Sequence, residues 1–317
     1  MIDEAYALAE RGSADEAVRL LERSGQDGEA AAWLELGAWF LSGQIIRRDL
    51  SRARECFRLA GDGGDAQGAT LYRNFLGIGV GGDRDWPGAV ALLRRAAGTD
   101  RDAAAQLALL EAMALDPEGD PSTTFAPREL SAAPHVASFE GFLTAAECDY
   151  LVNLALPIMQ PSVVVDPRSG AMRPDPVRTS HAAMLAWADE NPLVHALNRR
   201  IAAASGTAVT AGEPLQLLRY TPGQEYRPHF DALPNVTNQR VLTMLVYLNE
   251  DYEGGATSFP KSGLSYRGKT GDALLFRNAL GDGRPDPASL HAGAPVTRGT
   301  KYLASRWIHQ REFMPMR

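Results

Sequence analysis

The amino-acid sequence predicts a multidomain protein of the α and α+β classes. An N-terminal α-helical repeat solenoid is followed by a double-stranded β-helix (jelly-roll) domain with flanking helices. Residues 1–116 are rich in Ala and Leu, with apolar residues at three- and four-residue spacing that predict a series of short helices. The last third of the chain consists of strand-length apolar runs separated by Gly, Pro, Asn and Asp. At 317 residues, 45% of them hydrophobic, the chain is long enough for two domains with separate cores.

Charge and composition argue against several classes of protein. The formal charge of -7 disfavours binding to a phosphate backbone, so we expect no nucleic-acid partner. No run of about 18 apolar residues occurs, and the acidic amino terminus lacks the apolar stretch of a secretion signal. We therefore expect a cytoplasmic protein with no membrane partner. Cys56 and Cys148 fall in different predicted domains, which favours buried thiols over a disulfide or a thiolate metal site.

The helical part contains an internal repeat. A shift of 36 residues, the difference between Asp49 and Asp85, superposes two segments of the chain. The matched pairs include Phe40 with Leu76, Gly43 with Gly79, Ala53 with Ala89, Phe57 with Leu93, and Ala60 with Ala96. A period in the thirties made of helix pairs is typical of a solenoid. The pattern resembles Sel1-like repeats, which are related to tetratricopeptide repeats, and residues 1–27 are a candidate third, degenerate pair. Either the repeats hold a partner on a concave surface, or they form a helical cap or a dimer contact.

The rest of the chain divides into a linker and a second domain. Residues 117–135 are rich in Pro, Ser, Thr and charge and predict a linker. Residues 136–317 form the second domain, in which Thr144 and Glu147 predict a capping box at the start of a helix. A second helix is predicted from about Pro192 to Ala204. About eight short strands follow, and they predict a double-sheet jelly roll with helices on one face.

Two histidines and an aspartate are the candidate metal ligands. Residues two apart on a strand share one face, so His229 and Asp231 are expected to grip one ion. With His291 they make the two-histidine, one-carboxylate set of non-haem iron(II) oxygenases, which leaves coordination sites open. Each histidine has the alternative of an ordinary core or surface role, which we expect for His135, His181 and His195. His309 shares a strand face with Lys301 but lies about 26 Å further along, too far to share its pocket.

Several motifs appear together in one order between Phe139 and Arg311. They are LRYTPGQEYRPHFDALPN, RVLTMLVYLNEDYEGGATSFP, GDALLFRN and PDPASLHAGAPVTRGTKYLASRWI. This stretch resembles the catalytic core of the prolyl 4-hydroxylases, in the iron(II)/2-oxoglutarate dioxygenase superfamily. The resemblance makes His229, Asp231 and His291 the iron ligands and Lys301 the salt-bridge partner of 2-oxoglutarate.

Further roles follow from the same resemblance. It places Tyr220 and Thr243 in the 2-oxoglutarate pocket, and Trp307 shares strand parity with Lys301 and is a candidate pocket wall, although a strand tryptophan is commonly core. In the VRTS segment it implies that Arg178 and Ser180 contact substrate, as does Glu213 before the first core strand. For Arg178 the alternative is a surface salt bridge.

Two polar segments, DPRSGAMRPDP and ALPNVTNQ, are expected to be lids over the substrate. They depart most from the family pattern, which weakens the case for a collagen-like or proline-rich substrate.

The implied activity is hydroxylation of a peptidyl residue, proline in the first place, coupled to conversion of 2-oxoglutarate into succinate and CO2. Fe(II) is the expected metal, O2 the second co-substrate and ascorbate the expected reductant. A protein or peptide substrate is the expected partner, recruited by the helical repeats. One alternative is hydroxylation of a free amino acid or small metabolite, and another is a non-catalytic repeat scaffold. The carboxylate of Asp231 favours a hydroxylase over a halogenase, and the sequence gives no indication of the oligomeric state.

Overall fold

A computed structural model of the chain describes residues 1–165, 172–174 and 177–313. Its described residues form two compact units. The first comprises Met1–Ser122 and Ala188–Leu197, and the second comprises the remainder. No helix among these residues has the length and apolar character that crossing a membrane requires.

Seven α-helices follow one another within the first 122 residues. They are α1 (Ile2–Glu10), α2 (Ala14–Gln26), α3 (Ala30–Ser42), α4 (Leu50–Asp62), α5 (Ala66–Ile78), α6 (Trp86–Ala96) and α7 (Arg101–Ala112). Consecutive helices pack against one another through buried side chains such as Phe57 and Phe75, whose ring centroids are 5.3 Å apart. The predicted series of short helices is confirmed.

The 36-residue repeat is visible in the backbone. Gly43 and Gly79 end α3 and α5 in the left-handed conformation, with φ of 68° and 90°. Asp49 and Asp85 cap α4 and α6, where each carboxylate accepts a hydrogen bond from the amide three residues on. The left-handed conformation favours glycine, and a helix start favours aspartate, so these residues recur because the backbone geometry recurs.

The second unit contains most of the β-structure and two further helices. The helices are α8 (Ala145–Ala155) and α9 (Pro192–Ser205), of which the first part of α9 groups with the first unit. The strands are β1 (Arg128–Ala132), β2 (His135–Phe139), β3 (Gln160–Pro161), β4 (Val163–Val165), β5 (Met172–Pro174), β6 (His181–Leu185), β7 (Leu215–Tyr220), β8 (Tyr226–His229), β9 (Arg240–Tyr247), β10 (Tyr252–Gly254), β11 (Thr257–Phe259), β12 (Leu264–Tyr266), β13 (Ala273–Arg277), β14 (His291–Gly293), β15 (Val296–Gly299) and β16 (Lys301–His309).

Two antiparallel sheets make the jelly roll. The larger has eight strands in the order β1-β2-β13-β9-β16-β7-β6-β3, and the smaller has four in the order β12-β11-β14-β8. Side chains of both sheets, including Tyr247, Phe259 and Phe276, form one buried cluster. The larger sheet contributes Tyr220 and Lys301 to the functional site described below, and the smaller sheet contributes the histidines. The predicted fold class is confirmed.

The structure refines several local predictions. The capping box of Thr144 and Glu147 is present at the start of α8. The segment predicted as a linker, 117–135, contains β1, which pairs with β2 at the edge of the larger sheet. Its polar composition fits an edge strand, where side chains on the outer face meet water. Cys56 and Cys148 are both buried and unpaired, as expected.

Candidate active site

The two histidines and the aspartate converge on one point. His229, the last residue of β8, lies opposite His291 of β14 in the register of the smaller sheet. Asp231 lies two residues beyond the end of β8, with Oδ1 3.6 Å from His229 Nε2 and Oδ2 3.6 Å from His291 Nε2. The three ligand atoms lie within 4.8 Å of one another. The expected cluster is present, but the strand pairing and the bend after β8 produce it, since Asp231 is not on the strand.

Backbone carbonyls fix the orientation of both imidazoles. His229 Nδ1 lies 2.8 Å from the carbonyl oxygen of Arg227, and His291 Nδ1 lies 3.0 Å from that of Ser289. A carbonyl accepts only, so Nδ1 carries the proton and Nε2 presents a lone pair to the centre of the cluster. The ring of Tyr226 stacks on His229 at a centroid distance of 3.4 Å and limits its rotation.

The electrostatics suit a divalent cation. Burial alone would raise the pKa of Asp231, but the neighbouring imidazoles and the Thr243 hydroxyl outweigh it and hold that pKa below its ordinary value. Burial lowers the pKa of His291, which favours the neutral ring. An ionised carboxylate and neutral imidazoles, all able to reach one point, fit iron(II) in number and type.

A cavity extends from this cluster to a buried lysine. Most of its lining lies on strands of the two sheets, and Arg178, Asp231 and Ala294 lie outside them. The lining residues are Arg178, Leu218, Tyr220, Tyr226, His229, Asp231, Leu245, Thr257, His291, Gly293, Ala294, Lys301, Leu303, Ser305 and Trp307. Lys301 is 3% exposed, and its Nζ donates to the carbonyl oxygen of Gly255 at 2.6 Å. Burial, assisted by the charge of Arg267, lowers the pKa of Lys301 to about 7. The cavity therefore has three candidate metal ligands at one place and a cation at another.

The threonine assignment needs correction. Thr243 is absent from the described cavity lining, and its hydroxyl instead donates to Asp231 Oδ2 at 2.6 Å. The threonine in the cavity is Thr257, whose Oγ1 lies 2.8 Å from the Tyr247 hydroxyl. Thr257 belongs to the GGATSFP run, which is part of the family resemblance, but the resemblance assigned no role to this threonine. The signal in the sequence is the pair of glycines that begins GGATSFP. Gly255 packs against the Lys301 side chain, and this contact brings β11 close to Lys301.

Of the three expected substrate contacts, only Arg178 lines the cavity. Its Nη1 donates to Gln216 Oε1 at 2.9 Å, and its guanidinium carbon lies 5.6 Å from the centroid of the Tyr226 ring. Ser180 is buried, with its hydroxyl 3.1 Å from that of Ser162, and it is not among the described lining residues. The lid segment DPRSGAMRPDP lies largely outside the described residues.

Glu213 is held by an arginine and a histidine, and its predicted contact with substrate stays a prediction. Both of its carboxylate oxygens are bound by Arg240, and Oε1 also lies 2.7 Å from His309 Nε2. Arg240 in turn stacks on the cavity residue Trp307, with 4.0 Å between its guanidinium carbon and the ring centroid. Glu213 and His309 are not among the described cavity residues, and Arg240 connects Glu213 to the cavity residue Trp307.

A cluster of two histidines and one carboxylate in a jelly roll, with a buried lysine in the same cavity, defines a non-haem iron(II) oxygenase of the 2-oxoglutarate type. Comparison with known proteins agrees. A family model described as the 2OG-Fe(II) oxygenase superfamily matches residues 215–309.

Two similar curated proteins come from Arabidopsis thaliana. Prolyl 4-hydroxylase 1 is 37% identical over an alignment of 204 residues, and the match covers 58% of this chain and 72% of that protein. Prolyl 4-hydroxylase 5 is 36% identical over 208 residues, 58% of this chain and 71% of that protein. Among solved structures, the 2OG complex of the viral collagen prolyl hydroxylase vCPH from Paramecium Bursaria Chlorella virus-1 is 27% identical. It covers 55% of this chain and 95% of the viral chain, with a TM-score of 0.44. The chain belongs to the prolyl 4-hydroxylase family of iron(II)- and 2-oxoglutarate-dependent dioxygenases.

Proposed function

We propose that this protein hydroxylates a prolyl residue in a peptide or protein, using 2-oxoglutarate and O2 as co-substrates. The observation that carries the proposal is the complete cluster of His229, Asp231 and His291 in one cavity with Lys301, in a chain 37% identical to a prolyl 4-hydroxylase. Ascorbate is proposed as the reductant that returns the iron to the ferrous state.

The three clustered side chains hold iron(II) in this proposal. The bound iron(II) would supply the activation of O2 on which the oxidative decarboxylation of 2-oxoglutarate and the hydroxylation depend. Asp231 contributes a negative charge that is kept ionised by its neighbours, and each histidine contributes the Nε2 lone pair left by its backbone hydrogen bond. Burial of Asp231 and His291 keeps water away from the site.

Lys301 binds the carboxylate of 2-oxoglutarate that is remote from the metal. A buried carboxylate is costly unless a cation or hydrogen-bond donors accompany it. Lys301 supplies the cation, and the hydroxyls of Tyr220 and Thr257, which line the same cavity, are in position to donate. Trp307 forms a wall of the cavity, and its position is fixed by the stacked guanidinium of Arg240.

Arg178 is the proposed contact for the substrate main chain. It lines the cavity and remains partly exposed, so it can meet a molecule entering from solvent. Its planar fork of donors suits carbonyl oxygens of an extended peptide.

Turnover and metal binding together test the main proposal. With Fe(II), 2-oxoglutarate, ascorbate and proline-containing peptides, we expect succinate and a peptide that gains one oxygen atom on proline, detected by mass spectrometry. Replacement of Asp231 by Ala should abolish turnover and weaken iron binding, because the only carboxylate of the cluster is lost. Modification of free proline in place of every peptide would contradict the peptidyl assignment, and unchanged iron binding by Asp231→Ala would contradict the metal assignment.

The helical unit is proposed to recruit the protein substrate. A groove with a volume of about 960 Å³ is formed by α2, α3, the start of α4 and the loop before α6. Phe40 and Arg52 lie in it, with the guanidinium carbon 4.2 Å from the ring centroid, and Arg47 is an exposed residue of its lining. A groove that combines an aromatic ring with arginines suits a peptide segment of another protein.

A further inference from the structure

Three buried polar side chains form a line that ends on the ligand carboxylate. Asn278 Nδ2 lies 2.8 Å from Thr243 Oγ1, and Thr243 Oγ1 lies 2.6 Å from Asp231 Oδ2. Asn278 is completely buried, Thr243 is 1% exposed and Asp231 is 4% exposed. They come from different parts of the jelly roll, since Thr243 is on β9, Asn278 follows β13 and Asp231 follows β8.

Chemistry fixes the direction of these hydrogen bonds. An ionised carboxylate only accepts, so the single proton of the Thr243 hydroxyl must point to Asp231. The hydroxyl oxygen then has lone pairs free to accept from the Asn278 amide, which donates through Nδ2. All the protons are therefore aligned toward Asp231, and each bond in such a chain strengthens the next.

The backbone of Asn278 is held in place on both sides. Its amide donates to the carbonyl oxygen of Val241 at 2.9 Å, and its carbonyl accepts from the amide of Asp286 at 2.9 Å. The Ser289 hydroxyl lies 3.4 Å from the same carbonyl and donates to the carbonyl oxygen of Asp286 at 2.8 Å. The carbonyl of Ser289 is the group that orients His291. Asn278 therefore contacts Thr243, which donates to Asp231, and lies beside Ser289, whose carbonyl orients His291.

We propose that Asn278 is a positioning residue for the metal centre, acting through Thr243 on Asp231. The inference rests on the proposed metal-binding role of His229, Asp231 and His291. The Thr243 hydroxyl holds Oδ2 as an acceptor and stops the carboxylate from rotating, so that Oδ1 remains available for coordination. Partners that orient a ligand in this way commonly change metal affinity by about 10- to 100-fold when they are removed.

Metal titration of five variants tests this role without relying on turnover. Co(II) serves as the probe, because its visible absorption reports the number and geometry of its ligands, and binding is followed in the full-length protein. Thr243→Val removes the hydroxyl with little change of volume, and Asn278→Ala removes the amide. We expect each to weaken Co(II) binding by about 10- to 100-fold and to alter the Co(II) spectrum. Thr243→Ser keeps a hydroxyl and should restore wild-type affinity.

The double variant distinguishes action through Thr243 from general damage to the fold. If Asn278 acts through Thr243, Thr243→Val combined with Asn278→Ala should bind Co(II) no more weakly than the worse single variant. If the losses of Co(II) affinity in the two single variants multiply in the double variant, Asn278 does not act through Thr243. Thr257→Val is the matched control, because it makes the same substitution at a threonine that lines the cavity and whose hydroxyl lies beside that of Tyr247. It should raise the KM for 2-oxoglutarate and leave Co(II) affinity unchanged.

Failure of the positioning role and failure of the proposed function give different results. Folded single variants that bind Co(II) within about twofold of the wild type, well short of the effect of removing such a partner, would refute the positioning role of Asn278. A wild-type protein that binds no Co(II) or Fe(II) would refute the metal centre itself, and therefore the proposed function.

Discussion

At the scale of single residues, the proposed role of Lys301 predicts that the binding of 2-oxoglutarate depends on pH. Its pKa falls from 10.5 to about 7 on burial, so the amine of the ligand-free protein loses its charge as the pH rises above about 7. A dianionic ligand binds the charged amine, so its affinity is fully present below the lowered pKa and falls above it. We expect the Kd for 2-oxoglutarate to rise by up to about tenfold per pH unit above 7.

The measurement is a titration of 2-oxoglutarate at constant metal between pH 6 and 9, a range of about three pH units around the lowered pKa. Lys301→Met provides the control, and it should bind weakly with little pH dependence in that range. If Lys301→Met shows the same pH dependence as the wild type, another group is responsible.

The same scale shows what sequence reasoning can and cannot find. His229, Asp231 and His291 were identifiable because iron(II) restricts both the residue types and their number. The sequence did not show which of two threonines faces the cavity, because Thr243 and Thr257 both follow the ligand motif in strand-forming runs. The outcome depends on the packing of β9 against β13 and on the turn at Gly255, and neither is encoded locally. The ion pair of Glu213 was not predictable for a related reason, because its partner Arg240 is 27 residues away in sequence.

At the scale of secondary-structure elements, the groove of the helical unit carries a prediction about substrate size. Arg47 lies in the loop between α3 and α4, at the groove, while Arg95 is an exposed residue of α6 that does not line it. Arg47→Glu reverses a charge in the groove, so we expect the KM for a whole protein substrate to rise several-fold. The KM for a short proline-containing peptide should not change, because the cavity around Lys301 is unaffected.

Arg95→Glu makes the same change of charge and serves as the matched control. Equal effects of the two variants would show that overall charge, and not the groove, governs substrate binding. An equal rise of KM for peptide and protein would assign the helical unit a structural role only.

Elements were easiest to predict where they repeat or alternate. The 36-residue repeat predicts two helix pairs from one pattern, because a glycine ends the first helix and an aspartate caps the second helix of each pair. Strand β6 was missed because its sequence, HAAML, has little of the β-branched character that marks a strand. Its pairing with β7 makes it a strand, which is a tertiary effect that local sequence does not show.

At the scale of the whole molecule, the fold class followed from the sequence more readily than the grouping of the helices. Residues Ala188–Leu197 group with the helical unit although they lie within the predicted second domain, 136–317. Within that unit, the ring centroids of Trp86 and the buried His195 lie 6.2 Å apart. The spacing of apolar residues predicts which face of a helix is buried, but it does not predict which part of the protein covers that face.

Because the ligands bind the folded protein, they should stabilise it against unfolding. Fe(II) and 2-oxoglutarate at about 100 times their Kd each add about 2.7 kcal/mol to the free energy of unfolding when they have no affinity for the unfolded chain. For a unit of this size, this gain corresponds to a rise in Tm of roughly 5–10 °C. Anaerobic thermal unfolding, with Mn(II) as a redox-stable substitute, measures the shift. Hydrogen exchange should locate the added protection in β8, β9, β14 and β16, which surround the ligand cluster.

Two variants make this stabilisation specific to the site. Asp231→Ala should lose the shift caused by metal, because the cluster then lacks its carboxylate, and chelation of the metal should reverse the shift in the wild type. Lys301→Met should keep the metal shift and lose most of the additional shift from 2-oxoglutarate, because only the far carboxylate loses its partner. A metal shift that survives in Asp231→Ala would place the stabilising ion elsewhere. A full 2-oxoglutarate shift in Lys301→Met would show that the co-substrate is held mainly through the metal.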